Sequence, residues 1–216
     1  MMQVLIPFFM FFIIVSIFRI VLINAGRSYN KDIKEELERD RLANFSRKKD
    51  IPENIFYLPN LEDLPIKDYP IDDTFNSVIS AQEKVLQKGN LKMLRLSPPL
   101  SNIEIKENFG YANLELIIRY EENYYAYIHA LNNFASSLIK IDDEQSAENV
   151  LLNCILKMES NVLKTYSLLF QIYMDKNDKA GLKDIFERIG SIESLNFDEE
   201  LKEKIQNQFN NISNSL

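Results

Sequence analysis

The chain of 216 residues has one cysteine, one histidine, no tryptophan and only five glycines. A lone Cys154 excludes an intramolecular disulfide, which suits a reducing compartment. It sits beside Leu151, Leu152 and Ile155 with no histidine or basic cluster to activate it, so it reads as buried and inert. A lone His129, with Tyr125 and Asn133 as helical neighbours, offers no paired ligand for a metal and reads as structural or surface. No phosphate loop, dinucleotide fingerprint or HExxH occurs, so neither a catalytic centre nor a cofactor is expected. The scarcity of glycine, and the crowding of most of the seven prolines between Pro52 and Pro99, argue against many short strands and for helices.

A positive balance is also missing. The net charge is −7, and the region after residue 73 carries 15 basic against 20 acidic side chains, which is not a nucleic-acid footprint. What is abundant is apolar: 46% of residues are hydrophobic, with 14 Phe and 10 Tyr, enough for one sizeable core.

The first two dozen residues form the longest apolar run, from Val4 to Phe18 and again from Ile20 to Ile23. A helix from Met2 to Asn24 would be roughly 34 Å long and could cross a bilayer core of about 30 Å. No basic residue precedes it, and Ile23-Asn24-Ala25 matches a cleavage site poorly, which argues against a signal peptide. Arg19, Arg27, Lys31, Lys34, Arg39 and Arg41 follow on one side. Residues 1–25 are therefore expected to be a single-pass transmembrane anchor in the cell membrane, with the N-terminus outside and the remainder cytoplasmic.

Residues 26–50 mix both charges and repeat Tyr29, Ile33 and Leu37 at four-residue spacing, which predicts a charged juxtamembrane helix. Its basic end, Arg47-Lys48-Lys49, is either a solvated face or a contact to anionic lipid. Residues 51–73 are spaced by Pro52, Pro59, Pro65 and Pro70, which prevents a helix and predicts an extended linker. Yet Ile55, Phe56, Tyr57, Leu58, Leu61, Leu64, Ile66, Tyr69 and Ile71 make it too apolar to float. It must dock, either on its own domain or in a partner's groove.

Residues 74–216 are expected to form one all-α domain. A helix over 73–89 has Asp73 or Thr74 as its cap and Gly89 as its stop, and Ser101-x-x-Glu104 is a capping box opening a helix that ends at Gly110. Further helices are predicted over 111–122, 123–141, 144–159, 161–175, 179–192 and 198–213. Short connections make them antiparallel hairpins. The last, with Leu201, Ile205, Phe209 and Ile212 on one stripe, suits a capping helix.

The hairpins repeat. A shift of 35 places Leu131 on Tyr166, Phe134 on Leu169, Leu138 on Tyr173, Ala147 on Leu182 and Leu151 on Phe186. Ala112 and Leu116 fall on Ala147 and Leu151 in the same way. In residues 128–161, Leu131, Phe134, Ala135 and Leu138, then Ala147, Leu151 and Cys154, put small residues where two helices must approach closely. Over residues 111–192 this pattern resembles the tetratricopeptide repeat family. The next unit departs from it, with Phe170 and Leu182 at small positions, and a plain helical bundle remains the alternative. The resemblance implies an antiparallel helical-hairpin solenoid whose groove is lined by first helices. That lining would be His129, Asn132, Ser136 and Lys140, then Lys164, Ser167, Gln171 and Met174. Its two lysines and amides suit an acidic or carboxylate-ended peptide.

The expected function is thus a non-catalytic, membrane-anchored scaffold or adaptor for a protein or peptide partner. Alternatives are a membrane-complex subunit using its transmembrane helix as the contact, a secreted binding module, or a tethered DNA-binding regulator. The last would use residues 103–119 as a helix-turn-helix, with Asn113 and Arg119 as readers but Glu115 and apolar side chains against it. Glu121-Glu122 and Asp142-Asp143-Glu144 read as turn and cap residues before paired catalytic carboxylates. The cluster Tyr111, Tyr120, Tyr124, Tyr125 and Tyr127 reads as core packing or as an interface.

Overall fold

A computed structural model describes residues 31–191, together with Ser16, Phe18, Arg19, Val21, Leu22, Tyr29, Glu203 and Asn207. The described helices are α1 (31–43), α2 (Asn76–Gly89), α3 (Asn102–Phe109), α4 (Leu114–Lys140), α5 (Glu144–Leu156), α6 (Leu163–Asp175) and α7 (Lys179–Ser191). Two short strands, β1 (Phe56–Tyr57) and β2 (Met93–Leu94), pair antiparallel. The all-α expectation holds in the sense that the described residues are mostly helical.

The membrane-spanning expectation is corrected. Among the described residues no helix is long and apolar enough to cross a membrane. That overturns the single-pass architecture and the membrane localisation, with its orientation, that were read from the leader. The described helix that follows, α1, carries charged side chains at most positions, and each is costly to place in hydrocarbon. Most of residues 1–25 lies outside the described residues, as does most of the expected capping helix over 198–213.

The chain divides into two compact units, residues 1–50 with 101–114 and residues 51–100 with 115–216. In the first, α1 and the extended stretch after it are tied to α3. The Arg39 guanidinium forks onto Glu107 at 2.7 and 2.5 Å, a bidentate pair of the stronger kind. Lys106 is 7% exposed, and its ammonium donates to Asp40 and Asn44, both at 2.7 Å. Ser46 donates to the Lys106 carbonyl (2.7 Å) and accepts from the Tyr111 amide (3.1 Å), while the Lys49 amide bonds the Phe109 carbonyl (3.0 Å). The capping box forms: Ser101 Oγ accepts from the Glu104 amide at 3.3 Å and Glu104 accepts from the Ser101 amide at 2.7 Å. At Gly110 φ is +88°, and a Cβ there would strike the backbone of Arg47 and Lys48.

In the second unit the apolar strip of residues 51–73 docks on its own helices. Leu64 is buried in the core cluster, and Tyr57, Leu61, Ile66 and Tyr69 pack against it. β1 pairs with β2 through Phe56 opposite Leu94 and Tyr57 opposite Met93. Lys67 and Gln82 exchange hydrogen bonds, from the Lys67 amide to Gln82 Oε1 (3.1 Å) and from Gln82 Nε2 to the Lys67 carbonyl (2.9 Å). α2 starts at Asn76, one to two residues later than a cap at Asp73 or Thr74 would start it. Asp72 sets the entry instead, its carboxylate taking the Thr74 amide (3.4 Å) and its carbonyl the Phe75 amide (2.9 Å).

The predicted helices over 111–122 and 123–141 are one helix of 27 residues. Ile117, Tyr124, Ile128, Leu131, Ala135 and Leu138 are buried at steps that keep one face inward across residues 122 and 123, so tertiary burial carries the helix through. Glu121 and Glu122 therefore lie inside a helix and not at a turn.

Two hairpins follow, α4 with α5 and α6 with α7, and they close alike. The Asp143 amide reaches back to the Leu138 carbonyl (3.0 Å), and the Asp178 amide to the Tyr173 carbonyl (2.9 Å), the bond of a Schellman ending. The residues before them, Asp142 (φ 59°) and Asn177 (φ 53°), take the left-handed conformation that glycine usually supplies. Asp143 then caps α5 by accepting from the Ser146 amide (3.2 Å), and Asp178 accepts from the Gly181 amide (3.1 Å) at the start of α7. Each feature recurs at the same 35-residue step that the sequence shows.

Candidate functional site

α2 lies against the C-terminal half of α4, and between them is a cavity of about 220 Å³. Its floor is small, Ala81 and Ala130, because only methyl groups separate the two helices there. Its rim is polar: Ser77, Ser80 and Lys84 from α2, and Asn133 and Ser137 from α4. The two serines at its end, Ser77 and Ser137, hydrogen-bond at 3.0 Å. From α6, Lys164 reaches over to Asn133 Oδ1 at 3.0 Å. Lys84 thus lines the cavity and Lys164 is bonded to the exposed amide at its rim, and among the described residues no acidic side chain lines it.

The expected groove residues fall around this site unevenly. His129, Lys140, Lys164 and Gln171 are exposed; Ser136, Ser167 and Met174 are half-buried. Asn132 is fully buried, and neither end of its amide meets a protein hydrogen-bond partner, so no partner protein touches it in this arrangement. Lys140 lies two turns beyond Asn133, about 10 Å along the axis, and does not converge with Lys164 on one group. The face that opens is turned by one residue from the expected one: Ala130, Asn133 and Ser137 in place of His129, Asn132 and Ser136. Sequence reasoning missed Ser77, Ser80 and Lys84, although their spacing puts all three on one polar stripe of α2. Only the docking of α2 on α4 gives that stripe a partner.

The other candidates settle readily. The Cys154 thiol is buried, and burial pushes its pKa well above the ordinary thiol value, which disfavours a thiolate nucleophile. Burial also raises Tyr57, to about 12, ahead of the contribution from Glu159. It therefore stays a phenol and donates to Glu159 Oε2 at 2.8 Å. Burial raises the Glu121 carboxyl, opposed by a backbone hydrogen bond at Leu96 and by Arg95. Tyr124 and Tyr127 are fully buried, Tyr120 and Tyr125 partly, and Tyr111 is exposed. Asn113, the would-be base reader, is buried, with its Nδ2 donated to the carbonyls of Lys49 (2.6 Å) and Phe109 (2.9 Å). Among the described residues no group of three His, Cys, Asp or Glu side chains could hold a metal ion. Set against protein-family models, curated proteins and solved structures, the chain matches none.

Proposed function

We propose that the second unit is a non-catalytic adaptor module, a tetratricopeptide-like pair of helical hairpins that binds an acidic segment of a protein partner. The observation that carries the reading is a polar-rimmed cavity that Lys84 and Asn133 line, with Lys164 of a third helix bonded to Asn133 at its edge. The two ammonium groups and the amide offer donors to a carboxylate, and the serines on the rim can bond to peptide backbone. The 35-residue recurrence of the hairpin closures supports the repeat reading, and the resemblance brings with it the expectation that first helices face the partner. His129, Gln171, Ser136, Ser167, Met174 and Lys140 would then border the bound segment.

The test compares proteins that co-purify with the full chain and with its Lys84→Ala/Lys164→Ala form. The double variant should lose partners that a Lys140→Ala form retains, and an acidic peptide taken from the lost partner should compete. Equal recovery by all three would sink the assignment.

A further inference from the structure

A second cavity, of about 270 Å³, lies at the turn between α5 and α6 and is lined by Arg95, Ile155, Glu159, Ser160, Asn161, Tyr166 and Arg188. Two guanidinium groups reach it from separate parts of the chain, Arg95 from just after β2 and Arg188 from α7. The Arg95 side chain is only 10% exposed, held by donation to the Glu159 carbonyl. A guanidinium so desolvated is a strong anion ligand, because it has little water to give up. Arg188 is anchored through Nε to Asp184 (2.8 Å). Between them the Tyr166 hydroxyl donates to the Ser160 carbonyl at 2.7 Å, and both arginines exert a charge effect on that phenol.

One further lining group is left without a partner. Asn161 Oδ1 is buried with no hydrogen-bond partner among the protein groups; since the two ends of an amide are interchangeable in assignment, the same position can present a donor. α6 opens at Val162, which supplies no side-chain cap, so its first turn offers backbone donors next to Ser160 and Asn161. Among the described residues the one carboxylate in the lining, Glu159, sits 3.9 Å from Arg95, with its side chain 67% exposed and its Oε2 engaged by Tyr57. That is a loose ion pair in which Glu159 acts as a resident counter-ion.

We infer that this cavity is a binding site for a phosphate-class dianion, gripped by Arg95 and Arg188, which displaces the Glu159 carboxylate from Arg95. A carboxylate guest would only replace one single negative charge with another. A phosphate brings a second charge and more acceptor oxygens for the guanidinium, hydroxyl and amide groups around it. The volume is slightly below the range of about 300–1,000 Å³ usual for drug-sized ligands, and it admits a phosphoryl group together with part of the group that carries it. The source is either free phosphate or a phosphorylated side chain. The site shares no residue with the Lys84–Lys164 face, so the two readings stand or fall separately.

The experiment is calorimetric titration of the full chain at pH 7.5 with inorganic phosphate, with acetate at matched ionic strength as the control. Phosphate should bind saturably, and acetate about tenfold more weakly or not at all. Arg188→Gln should weaken phosphate about tenfold, whereas Glu159→Gln should tighten it by removing the resident competitor while a carbonyl remains for Tyr57. Arg95 is left intact because its loss would also unseat the Glu159 backbone. A short phosphoserine peptide that binds more than about tenfold tighter than inorganic phosphate supports the site and assigns the anion to a phosphorylated partner. Equal or weaker peptide binding, with phosphate still saturable, supports it as a site for the free anion. Absence of saturable phosphate binding, or affinity unmoved by both variants, overturns the proposal.

Discussion

Replacing Gly110 by alanine should open the first unit and leave the second standing. Gly110 combines φ +88° with ψ 148°, a region that is nearly glycine-only and costs a residue bearing a Cβ about 1–3 kcal/mol. The added Cβ would also lie 2.6 Å from the Arg47 carbonyl carbon and 2.7 Å from Lys48 Cα, both backbone atoms. Relief requires moving the 46–49 stretch off α3. That movement threatens the Lys49 amide bond to Phe109, the Ser46 contacts and the Asn113 bridge to Lys49, each worth about 1 kcal/mol. Strain plus one or two lost bonds gives about 2–5 kcal/mol. The assay is native-state hydrogen exchange of the full chain, read peptide by peptide. A local loss of about 3 kcal/mol corresponds to roughly a hundredfold drop in protection. It should appear in amides of α1 and α3, while α5 and α6 keep theirs. Unchanged protection across 31–50 and 101–114 would refute the reasoning, and so would an equal loss in α5 and α6.

Three further outcomes are expected. Leu64→Ala removes the buried anchor of the apolar strip and should cost about 2–4 kcal/mol in chemical denaturation, with new protease cleavage inside 51–73; a stability within error of the parent would mean that the strip is not docked in solution. Tyr124→Phe deletes the buried hydroxyl bonded to the Met158 carbonyl at 2.6 Å and should cost about 1–3 kcal/mol by leaving that carbonyl unpaired, while the far-UV spectrum stays unchanged. Asp143→Asn tests a pH effect. Burial raises the Asp143 carboxyl, but hydrogen bonds from Lys67 and Ser146 outweigh it and hold the pKa below the ordinary aspartate value. A depressed folded pKa gives stability that is present above about pH 4 and lost as pH falls through the folded value. The parent should therefore exceed the variant near pH 7, and the gap should close in acid; a gap that widens below pH 4 would contradict the assignment.

What could be read in advance follows the range of each interaction. Apart from the break expected at 122–123, helix positions from 114 to 191, and the burial of Leu131, Phe134, Ala135, Leu138, Ala147, Leu151 and Cys154, were legible because a 3.6-residue period is local information. The pairing of residues 31–50 with 101–114 was not. It hangs on Lys106, whose ammonium is taken in by Asp40 and Asn44, and a buried lysine looks in sequence like any solvated one. The strands β1 and β2 have two residues each, too few to show alternation. The candidate site was half legible. Lys164 was expected to line it, but α2 had no assigned partner, so Lys84 stayed invisible. A rotation of α4 by one residue, about 100°, then moved the opening from Asn132 to Asn133. The membrane-spanning reading had the opposite fault, since it took its support from one apolar run and none from tertiary structure.

The strip of residues 51–73 shows how the polar and apolar contributions divide. Besides the Lys67–Gln82 exchange with α2 and the pairing of β1 with β2, its polar bonds fall on the hairpin turns: Lys67 to Asp143 (2.7 Å) and Ser146 (3.0 Å) at the start of α5, and Tyr57 to Glu159 after its end. The Lys67–Asp143 pair is half-exposed on the lysine side, and such pairs contribute only about 0–1 kcal/mol. Burying Leu64, with Leu61, Ile66 and Tyr57 packed beside it, contributes about 1.5–3 kcal/mol for each side chain that is fully covered. Apolar burial therefore holds the strip down, while the polar bonds fix its register against α5. The close fit at Gly89, where a Cβ would meet the Leu61 side chain at 2.6 Å and Tyr127 at 3.1 Å, points the same way. A side chain at that position would have to push the Leu61 side chain of the strip aside.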